Sequence, residues 1–283
     1  MGEPRSAGLS LTLFTDSMKT ETLVVTVDRH DCSLAEKMNI QTDAVIGNQA
    51  DYTAEEIFWH NGSKITFVTD SERGVGKNRN KVLSRATADI CILADDDMRF
   101  VDGYPGLAGE AFSHCPDADI IVFNLIEKSP RRYINQTYFP VGYNNYARYG
   151  AARIAIRRKS VQAANISFSL LFGGGARYSS GEDTIFLHQC LKNGLKIMAA
   201  PIALAEIDQT AQSTWFTGYH EKFFSDKGAL YACLHGRLAW LYCARYLIKY
   251  RKKYLSDISL SAAWKAMVRG IGDYFDIQSE DRT

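Results

Sequence analysis

Short apolar runs alternate with helical patterns through the first half of this chain. The runs are Thr22–Asp28, Asp43–Gly47, Ile65–Thr69, Ile90–Ala94 and Ile120–Leu125. Amphipathic segments at residues 34–40 and 77–88 lie between them, and residues 102–116 form a turn-rich stretch. Near-continuous apolar strands separated by helices are typical of a mainly parallel sheet covered on both faces. We therefore predict a Rossmann-like α/β fold.

The second half of the chain has a different character. Residues 128–150 are rich in Tyr, Asn and Arg and predict a loop or hairpin, followed by a strand at Ile154–Arg157. Residues 183–193 predict a helix that ends at Gly194, a usual C-cap residue. Beyond Trp215 the pattern is helical, with one long helix expected at 229–254 and a shorter one at 260–268.

These patterns predict a division of the chain into three parts. Residues 1–17 are expected to be a leader or disordered segment, because their apolar stretch is short and suits no export signal. Residues 18–226 are expected to form the main domain, with halves at 18–127 and 128–226, and residues 227–283 a helical extension. The six cysteines contain no C-x-x-C pair, and most lie in apolar runs, which favours free thiols in a reducing compartment.

Charge is distributed unevenly along the chain. The net charge is only +1, which argues against a uniformly basic nucleic-acid-binding protein. However, residues 128–181 contain nine basic residues and no acid, and residues 227–256 contain seven basic residues and no acid. The sequence therefore predicts separate acidic and basic surfaces.

Three consecutive carboxylates, Asp95, Asp96 and Asp97, follow the apolar run at 90–94. In an open α/β sheet the carboxyl ends of the strands are where ligands bind. Three adjacent carboxylates repel one another and need a cation. Hard oxygen ligands suit Mg²⁺ or Mn²⁺ shared with a substrate diphosphate, although a solvated acidic turn or a helix N-cap is the simpler alternative.

Two further segments carry polar residues beside glycines. Residues 72–80 resemble a phosphate loop but fail its pattern, since Ser71 replaces the first Gly and Asn78 follows the Lys; Lys77 and Arg79 remain able to reach an anion. Glu182 and Asp183 follow Gly181 at a predicted helix start, where acids serve as caps or as a general base. His220 is a weaker metal-ligand candidate, and Trp215 and Tyr219 are candidates either for sugar stacking or for core packing.

Taken together, these segments resemble the family 2 glycosyltransferases, an inverting group with a GT-A fold. The resemblance covers residues 22 to 226. It rests on residues 25–29 after the first strand, residues 74–80 for the family's G-x-x-x-A-R-N segment, Asp95–Asp97 for its D-x-D motif, and Glu182-Asp183 for its acidic pair. Asn78 replaces the usual Ala, and the second strand ends with Asn48 rather than the Asp that often reads the base.

The resemblance implies a nucleotide-sugar donor, most commonly a UDP-sugar, and Mn²⁺ or Mg²⁺. It implies that Asp97 holds the metal, that Asp95 contacts the ribose or the water shell of the metal, and that Asp183 is the catalytic base beside Glu182. His220 remains the weaker candidate for a further metal ligand. The donor-binding residues implied by the resemblance are Thr26, Asp28, Arg29, Asn48, Arg79, Asp95 and Asp96. The corresponding activity is a hexosyl transfer, with inversion at the anomeric carbon, to a saccharide or lipid-linked acceptor in bacterial surface polysaccharide or glycolipid assembly.

The basic stretch at 227–256 interleaves aromatic and cationic side chains, which suits an anionic membrane surface. A helix with a solvated basic face is the equal alternative. We expect a cytoplasmic protein, with peripheral contact to the inner face of the membrane as the more specific hypothesis.

Two other functions fit parts of the sequence. A sugar nucleotidyltransferase shares the strand-end acids and the metal, but has a Gly-rich, Arg-containing loop after its first strand, where this chain has Asp28-Arg29-His30-Asp31. A nucleic-acid-binding module using residues 128–181 leaves the acidic triad unexplained. We therefore expect no nucleic-acid partner.

Overall fold

The computed structural model describes residues 18–29, 31, 33–128, 133–208 and 218–280. Within these residues it contains one ten-stranded sheet. The strands are β1 (Thr20–Val27), β2 (Asp43–Gln49), β3 (Ala54–His60), β4 (Ser63–Asp70), β5 (Ile90–Asp95), β6 (Met98–Phe100), β7 (Ile120–Ile126), β8 (Phe139–Val141), β9 (Ile154–Arg157) and β10 (Ile197–Ile207). The predicted leader, residues 1–17, lies outside the described residues.

The sheet order is β3-β4-β2-β1-β5-β9-β7-β10-β6, and β8 pairs with β10. Strands β4, β2, β1 and β5 are mutually parallel, and β7 is parallel to β10. Because β9 is antiparallel to both β5 and β7, these two groups run in the same direction. The remaining strands β3, β6 and β8 are also antiparallel to their partners. The prediction of a mainly parallel α/β sheet is confirmed.

Helices pack on both faces of the sheet, as predicted. They are α1 (Leu34–Lys37), α2 (Val75–Arg85), α3 (Tyr104–His114), α4 (Arg158–Ala163), α5 (Glu182–Lys192), α6 (Glu221–His235), α7 (Ala239–Tyr254) and α8 (Leu260–Glu280). Successive strand residues point to opposite faces, so Val24 packs in one core with α1 and α3, whereas Leu23 and Val25 pack in another with α2 and α5.

Three of the regions that differ from the sequence prediction are helical. The turn-rich stretch at 102–116 is helix α3, because Pro105 lies in its first turn and Ala108, Ala111 and Phe112 form a buried face. The predicted long helix at 229–254 is two helices, α6 and α7, separated by a turn in which Gly236 has φ +54°. The predicted shorter helix at 260–268 is the first part of α8, which extends to Glu280. The division into domains at residue 226 stays a prediction, and that residue lies within α6.

The C-terminal helices form a compact unit beside the sheet. α6 and α8 approach closely because each contributes a glycine at the contact. A Cβ on Gly228 would collide with the carbonyl of Met267, and one on Gly270 would collide with the carbonyl of Ser225. α7 then packs its buried residues against α6 and α8. In the described part of the chain, none of the helices has the length and apolarity needed to cross a membrane.

Candidate functional site

The carboxyl ends of β1, β2 and β5 meet at one edge of the sheet. The register pairs Thr26 with Asn48 and Val25 with Asp95 across the parallel strands. Polar residues that are distant in sequence therefore lie beside one another immediately after the apolar core. This is the edge at which open α/β sheets bind ligands.

Asp96 is held by two residues that follow the first strand. Thr26 Oγ1 donates a hydrogen bond to Asp96 Oδ2 at 2.5 Å, and Arg29 Nη2 contacts the same oxygen at 3.3 Å. The Arg29 side chain is only partly exposed, and its Nε is buried without a hydrogen-bond partner among the described residues. The structure thus brings Thr26, Arg29 and Asp96 together at the sheet edge.

Asn48 shapes the loop that carries Arg29. Its Oδ1 accepts from the Arg29 backbone N at 3.1 Å, and its Nδ2 donates to the Arg29 carbonyl at 2.8 Å and to Thr69 Oγ1 at 3.1 Å. Asp28 has φ +51°, a conformation that needs such local support. Asp28 Oδ1 also lies 3.5 Å from Arg73 Nη1. Asn48 and Asp28 therefore support the loop beside the carboxyl edge of the sheet.

The glycine-rich segment before α2 closes the adjacent side of the edge. The Gly74 N donates to Gln49 Oε1 at 2.6 Å, and Asn78 Nδ2 donates to the Gly47 carbonyl at 2.7 Å. A side chain at Gly47 would collide with Asn78, so Asn78 at the start of α2 fits a glycine on β2. This contact ties the start of α2 to the sheet.

Arg79 joins the two acidic segments of the sequence. It is 6% exposed; its Nη2 donates to Asp95 Oδ1 at 2.8 Å, and its Nη1 donates to Glu182 Oε1 at 2.6 Å. Burial acts to lower the pKa of Arg79, but the carboxylates of Asp95, Glu182 and Asp183 outweigh it and raise that pKa above its ordinary value. The strand-end acids and the acidic pair therefore belong to one site.

The two members of the acidic pair have different environments. Burial, and then the neighbouring Asp183, raises the pKa of Glu182, although Arg79 opposes the shift. Glu182 Oε2 also accepts from the Gly181 backbone N at 3.1 Å. Asp183 Oδ1 accepts from the Thr184 backbone N at 2.6 Å at the start of α5. Both carboxylate oxygens of Glu182 therefore accept hydrogen bonds within the protein, whereas Asp183 Oδ2 has no hydrogen-bond donor among the described residues.

Asp97 is the least compensated acid of the triad. Its Oδ1 is buried and has no hydrogen-bond partner among the described residues. Burial, with Asp95, Asp96 and Asp208 as further causes, raises the pKa of Asp97 to about 6. Asp208 follows β10, and its backbone N donates to the Asp97 carbonyl at 2.8 Å, which brings a fourth acid to this place.

The remaining metal and sugar candidates lie on or before α6. His220 is the N-cap of α6, and its Nδ1 accepts from the Phe223 backbone N at 3.4 Å. Tyr219 packs edge-on against Phe223, at 5.2 Å between ring centroids, within the helical core. Trp215 lies outside the described residues. In the part of the chain that the structure describes, no three His, Cys, Asp or Glu side chains are grouped so that they alone would hold a metal ion.

Lys227 is a site residue that the sequence analysis did not single out. Its Nζ lies 5.7 Å from the Phe223 ring centroid and 5.8 Å from that of Tyr246. Burial lowers the pKa of Lys227, while the negative charges of Asp183 and Asp226 oppose that shift. A cation therefore faces Asp183 from α6, and the only signal in the sequence was its position at the start of the basic stretch.

α6 is attached directly to the loop that precedes the acidic pair. Asp226 Oδ2 accepts from both the backbone N and the Oγ of Ser179, at 3.0 and 2.7 Å. Gly181 packs against Leu230, and a Cβ at Gly181 would lie 2.8 Å from that side chain. The helical extension is thus part of the wall around Asp183.

The sheet order, the polar carboxyl edge and the C-terminal helices together define a GT-A-like glycosyltransferase fold. No protein-family model matches the sequence, and no curated protein is significantly similar to it.

Solved structures of S. aureus TarS have this fold. TarS 1–349 in complex with UDP-GlcNAc has a TM-score of 0.60 at 14% identity, over 91% of this chain and 80% of that chain. The complex with UDP has a TM-score of 0.56, also at 14% identity, over 85% and 74%. A longer structure of S. aureus TarS has a TM-score of 0.59, and the match spans 49% of its length. At this identity the likeness establishes the fold.

Proposed function

We propose that the protein is an inverting, metal-dependent family 2 glycosyltransferase that moves a hexosyl group from a UDP-sugar to an acceptor hydroxyl. The observation that carries the proposal is the pair of hydrogen bonds from Arg79 to Asp95 and Glu182. Through these bonds Arg79 connects Asp95, which is expected to bind the donor, with Glu182, which is expected to lie beside the acceptor. The UDP-GlcNAc and UDP complexes of TarS, which has the same fold, support the donor class.

The donor side of the proposed site is the edge formed by β1, β2 and β5. Thr26 and Arg29 both contact Asp96 there, and Asn48 binds the backbone of the loop that carries Arg29 and Asp28. Asp95 is fixed by Arg79, so its second oxygen is available for the ribose or for the water shell of a cation. These residues would orient the nucleotide with its diphosphate toward Asp97.

A divalent cation fits the residues present. The buried, unpartnered Oδ1 of Asp97 and its neighbouring carboxylates form an all-oxygen donor set, which suits Mn²⁺ or Mg²⁺. Asp97 and Asp95 would hold the ion, with the donor diphosphate supplying further oxygens, and His220 is a weaker candidate ligand. When bound, the ion would neutralise negative charge on the leaving diphosphate.

Asp183 is proposed as the catalytic base. As the acceptor oxygen bonds to the anomeric carbon, the bond from that carbon to the diphosphate oxygen breaks, and Asp183 takes the proton of the acceptor hydroxyl. Arg79 holds Glu182 in place through a hydrogen bond, and Glu182 would thereby position the start of α5. The positive charge of Lys227, which interacts with Asp183, would favour an acceptor with a negative group.

We place this activity in bacterial surface polysaccharide or glycolipid assembly, in the cytoplasm and at the inner face of the membrane. The acceptor would be a saccharide, carried on a lipid in the membrane-bound form of the reaction. The free cysteines Cys91, Cys115, Cys190, Cys233 and Cys243 are consistent with a reducing compartment.

A nucleotide-sugar screen tests the proposal. The purified chain is mixed with UDP-, GDP- and dTDP-sugars, with Mn²⁺ or with EDTA, and thermal unfolding and UDP release are measured. UDP-sugars should stabilise the protein only with Mn²⁺, and Asp97→Ala should abolish that stabilisation. Asp117→Ala is the matched control, because Asp117 is an exposed acid whose partner is Lys196 on the surface.

Other outcomes of the same screen would replace the proposal. Stabilisation by nucleoside triphosphates, with pyrophosphate released from a triphosphate and a sugar phosphate, would identify a nucleotidyltransferase. Tight RNA binding through residues 128–181, without any response to nucleotide sugars, would identify a nucleic-acid-binding module.

A further inference from the structure

Helix α7 has a buried face that holds it to the rest of the protein. Its buried residues are Ala239, Cys243, Leu247 and Tyr254. Two aromatic pairs attach it to α6: His235 stacks on Tyr242 at 3.5 Å between centroids, and Tyr231 lies 6.2 Å from Tyr246. α7 is therefore docked in a fixed orientation, and its opposite face points away from the protein.

That opposite face carries large apolar side chains in the open. Leu238, Leu241, Ile248 and Leu255 are 55%, 45%, 63% and 49% exposed. Residues 238, 241, 245, 248, 252 and 255 are spaced three or four apart, so they form one stripe along the helix. We call these six residues the outer stripe. An exposed row of this kind marks an interaction surface rather than scattered apolar residues.

The outer stripe also contains two cations, Arg245 and Lys252. The flanking positions of α7 add further basic residues, and residues 227–256 contain no Asp or Glu. Trp240 and Tyr242 are exposed on either side of the stripe. Long basic side chains beside apolar ones, bordered by Trp and Tyr, are the composition of helices that lie in a membrane interface.

The charge of the outer stripe favours an anionic lipid surface over a second copy of the chain as its binding partner. A second copy of the chain would bring Arg245 and Lys252 against the same cations, with no acid on α7 to pair with them. An anionic lipid surface supplies the opposite charge and also accepts the apolar side chains. Because no described helix is suited to cross a membrane, the contact would be peripheral.

We propose that the outer stripe of α7 binds the surface of an anionic lipid bilayer. The inference rests on the proposed function, because the membrane contact would serve to bring a lipid-linked acceptor to Asp183. α7 lies on α6, and α6 is bonded to the loop before Asp183 through Asp226 and Leu230. The membrane surface would then lie about one helix diameter, roughly 10 Å, behind the wall of the site.

Vesicle flotation of the full chain tests this surface. The vesicles contain either phosphatidylcholine alone or phosphatidylcholine with phosphatidylglycerol, at low and high salt. The wild type should float with the anionic vesicles at low salt and much less with the neutral ones. Leu241→Ser with Ile248→Ser should weaken binding at least about tenfold, and Arg245→Glu with Lys252→Glu about a hundredfold.

Two matched controls keep the test specific. Ile57→Ser with Trp59→Ser removes exposed apolar residues from the edge strand β3, where Glu55 and Glu56 precede them, and should leave vesicle binding unchanged. Lys159→Glu with Lys192→Glu changes the net charge as much as the α7 reversal does, and should weaken binding far less. Thermal unfolding of each variant confirms that it is folded.

Each result has a distinct meaning. Wild-type chain that binds UDP-sugars but no vesicles would overturn the membrane surface alone, whereas vesicle binding without any nucleotide-sugar response would overturn the proposed function alone. Equal binding to neutral and anionic vesicles, or equal losses in the control variants, would contradict the role of the outer stripe. A concentration-dependent dimer abolished by Leu241→Ser with Ile248→Ser would assign the surface to a second copy instead.

Discussion

The carboxyl edge of the sheet and the outer stripe of α7 both collect charges of one sign, but they differ in how those charges are balanced. At the edge, buried Arg79 pairs with Asp95 and Glu182, whereas the carboxylate of Asp97 has a buried oxygen without a hydrogen-bond partner among the described residues. On α7, Arg245 and Lys252 are exposed to solvent. A buried charge without a partner costs several kcal/mol, whereas an exposed one costs little. Substitutions of charged residues should therefore change the free energy of unfolding strongly at the carboxyl edge and only slightly on α7.

The largest expected effect is on the chemical step at Asp183. Asp183→Asn keeps the shape of the side chain but cannot accept the proton, so turnover should fall by about 10²–10⁴-fold. Binding of the UDP-sugar with Mn²⁺ should persist, because Asp183 is not among the proposed donor residues. Steady-state turnover and calorimetry measure the two quantities. Near-normal turnover in this variant would remove Asp183 as the base.

The next largest effect is on stability at Arg79. Arg79→Met leaves Asp95 and Glu182 without their cation, so the free energy of unfolding should fall by about 3–5 kcal/mol. Arg85→Met on the same helix is the control, because Arg85 pairs with Glu55 on the surface at 3.3 Å and should cost less than about 1 kcal/mol. Urea unfolding compares them, and similar losses in both variants would refute the central role of Arg79.

The Arg79 contacts also show what the sequence could not predict. Each residue lies in a recognisable segment, but Arg79 and Glu182 are 103 positions apart, and nothing local specifies that they meet. Strands β1, β2, β4, β5 and β7 were predictable because their central residues are buried and mainly apolar. The edge strand β3 is exposed and contains Glu55 and Glu56, so it lacks that pattern.

Helices were harder to predict where glycine and proline have uncommon positions. α3 contains Gly106 and Gly109, which face open space, so its sequence has the composition of a turn although Phe112 is buried. Pro201 lies within β10 at the register shift between Ala199 and Ala203, a place where a strand tolerates proline. In α6 and α8, Gly228 and Gly270 are required by helix contact, which only the three-dimensional structure reveals.

A smaller effect is expected where the helical unit supports α7. Gly228→Ala places a methyl group against the Met267 carbonyl, so α6 and α8 must separate, at a cost of about 1–3 kcal/mol. Gly272→Ala on α8 meets nothing within 4 Å and should instead stabilise the helix by up to about 1 kcal/mol. Thermal and urea unfolding give the signs. Equal effects from both substitutions would show that the glycine contact does not hold these helices together.

The smallest expected effect is a change in the free energy of unfolding at Asp97. It best distinguishes the buried charges of the sheet edge from the exposed charges of α7. Burial raises the pKa of Asp97 to about 6 from an ordinary 3.8, so the folded protein binds this proton more tightly than the unfolded chain does. The protonated Asp97 carboxyl therefore adds to the free energy of unfolding in full below pH 3.8, and this contribution is lost as the pH rises through about 6.

In EDTA at pH 7.5, Asp97→Asn should consequently raise the free energy of unfolding by about 1 kcal/mol, a value reduced because the side chain is partly solvated. The gain should vanish toward pH 4, where the wild-type carboxyl is already neutral. Asp95→Asn is the opposing control, because it removes a partner of Arg79 and should destabilise the protein at pH 7.5. Urea unfolding across this pH range measures both variants. If Asp97→Asn is less stable than the wild type at pH 7.5, the Asp97 carboxylate already has a compensating partner within the protein. The carboxyl edge of the sheet would then contain no uncompensated negative charge to bind a cation.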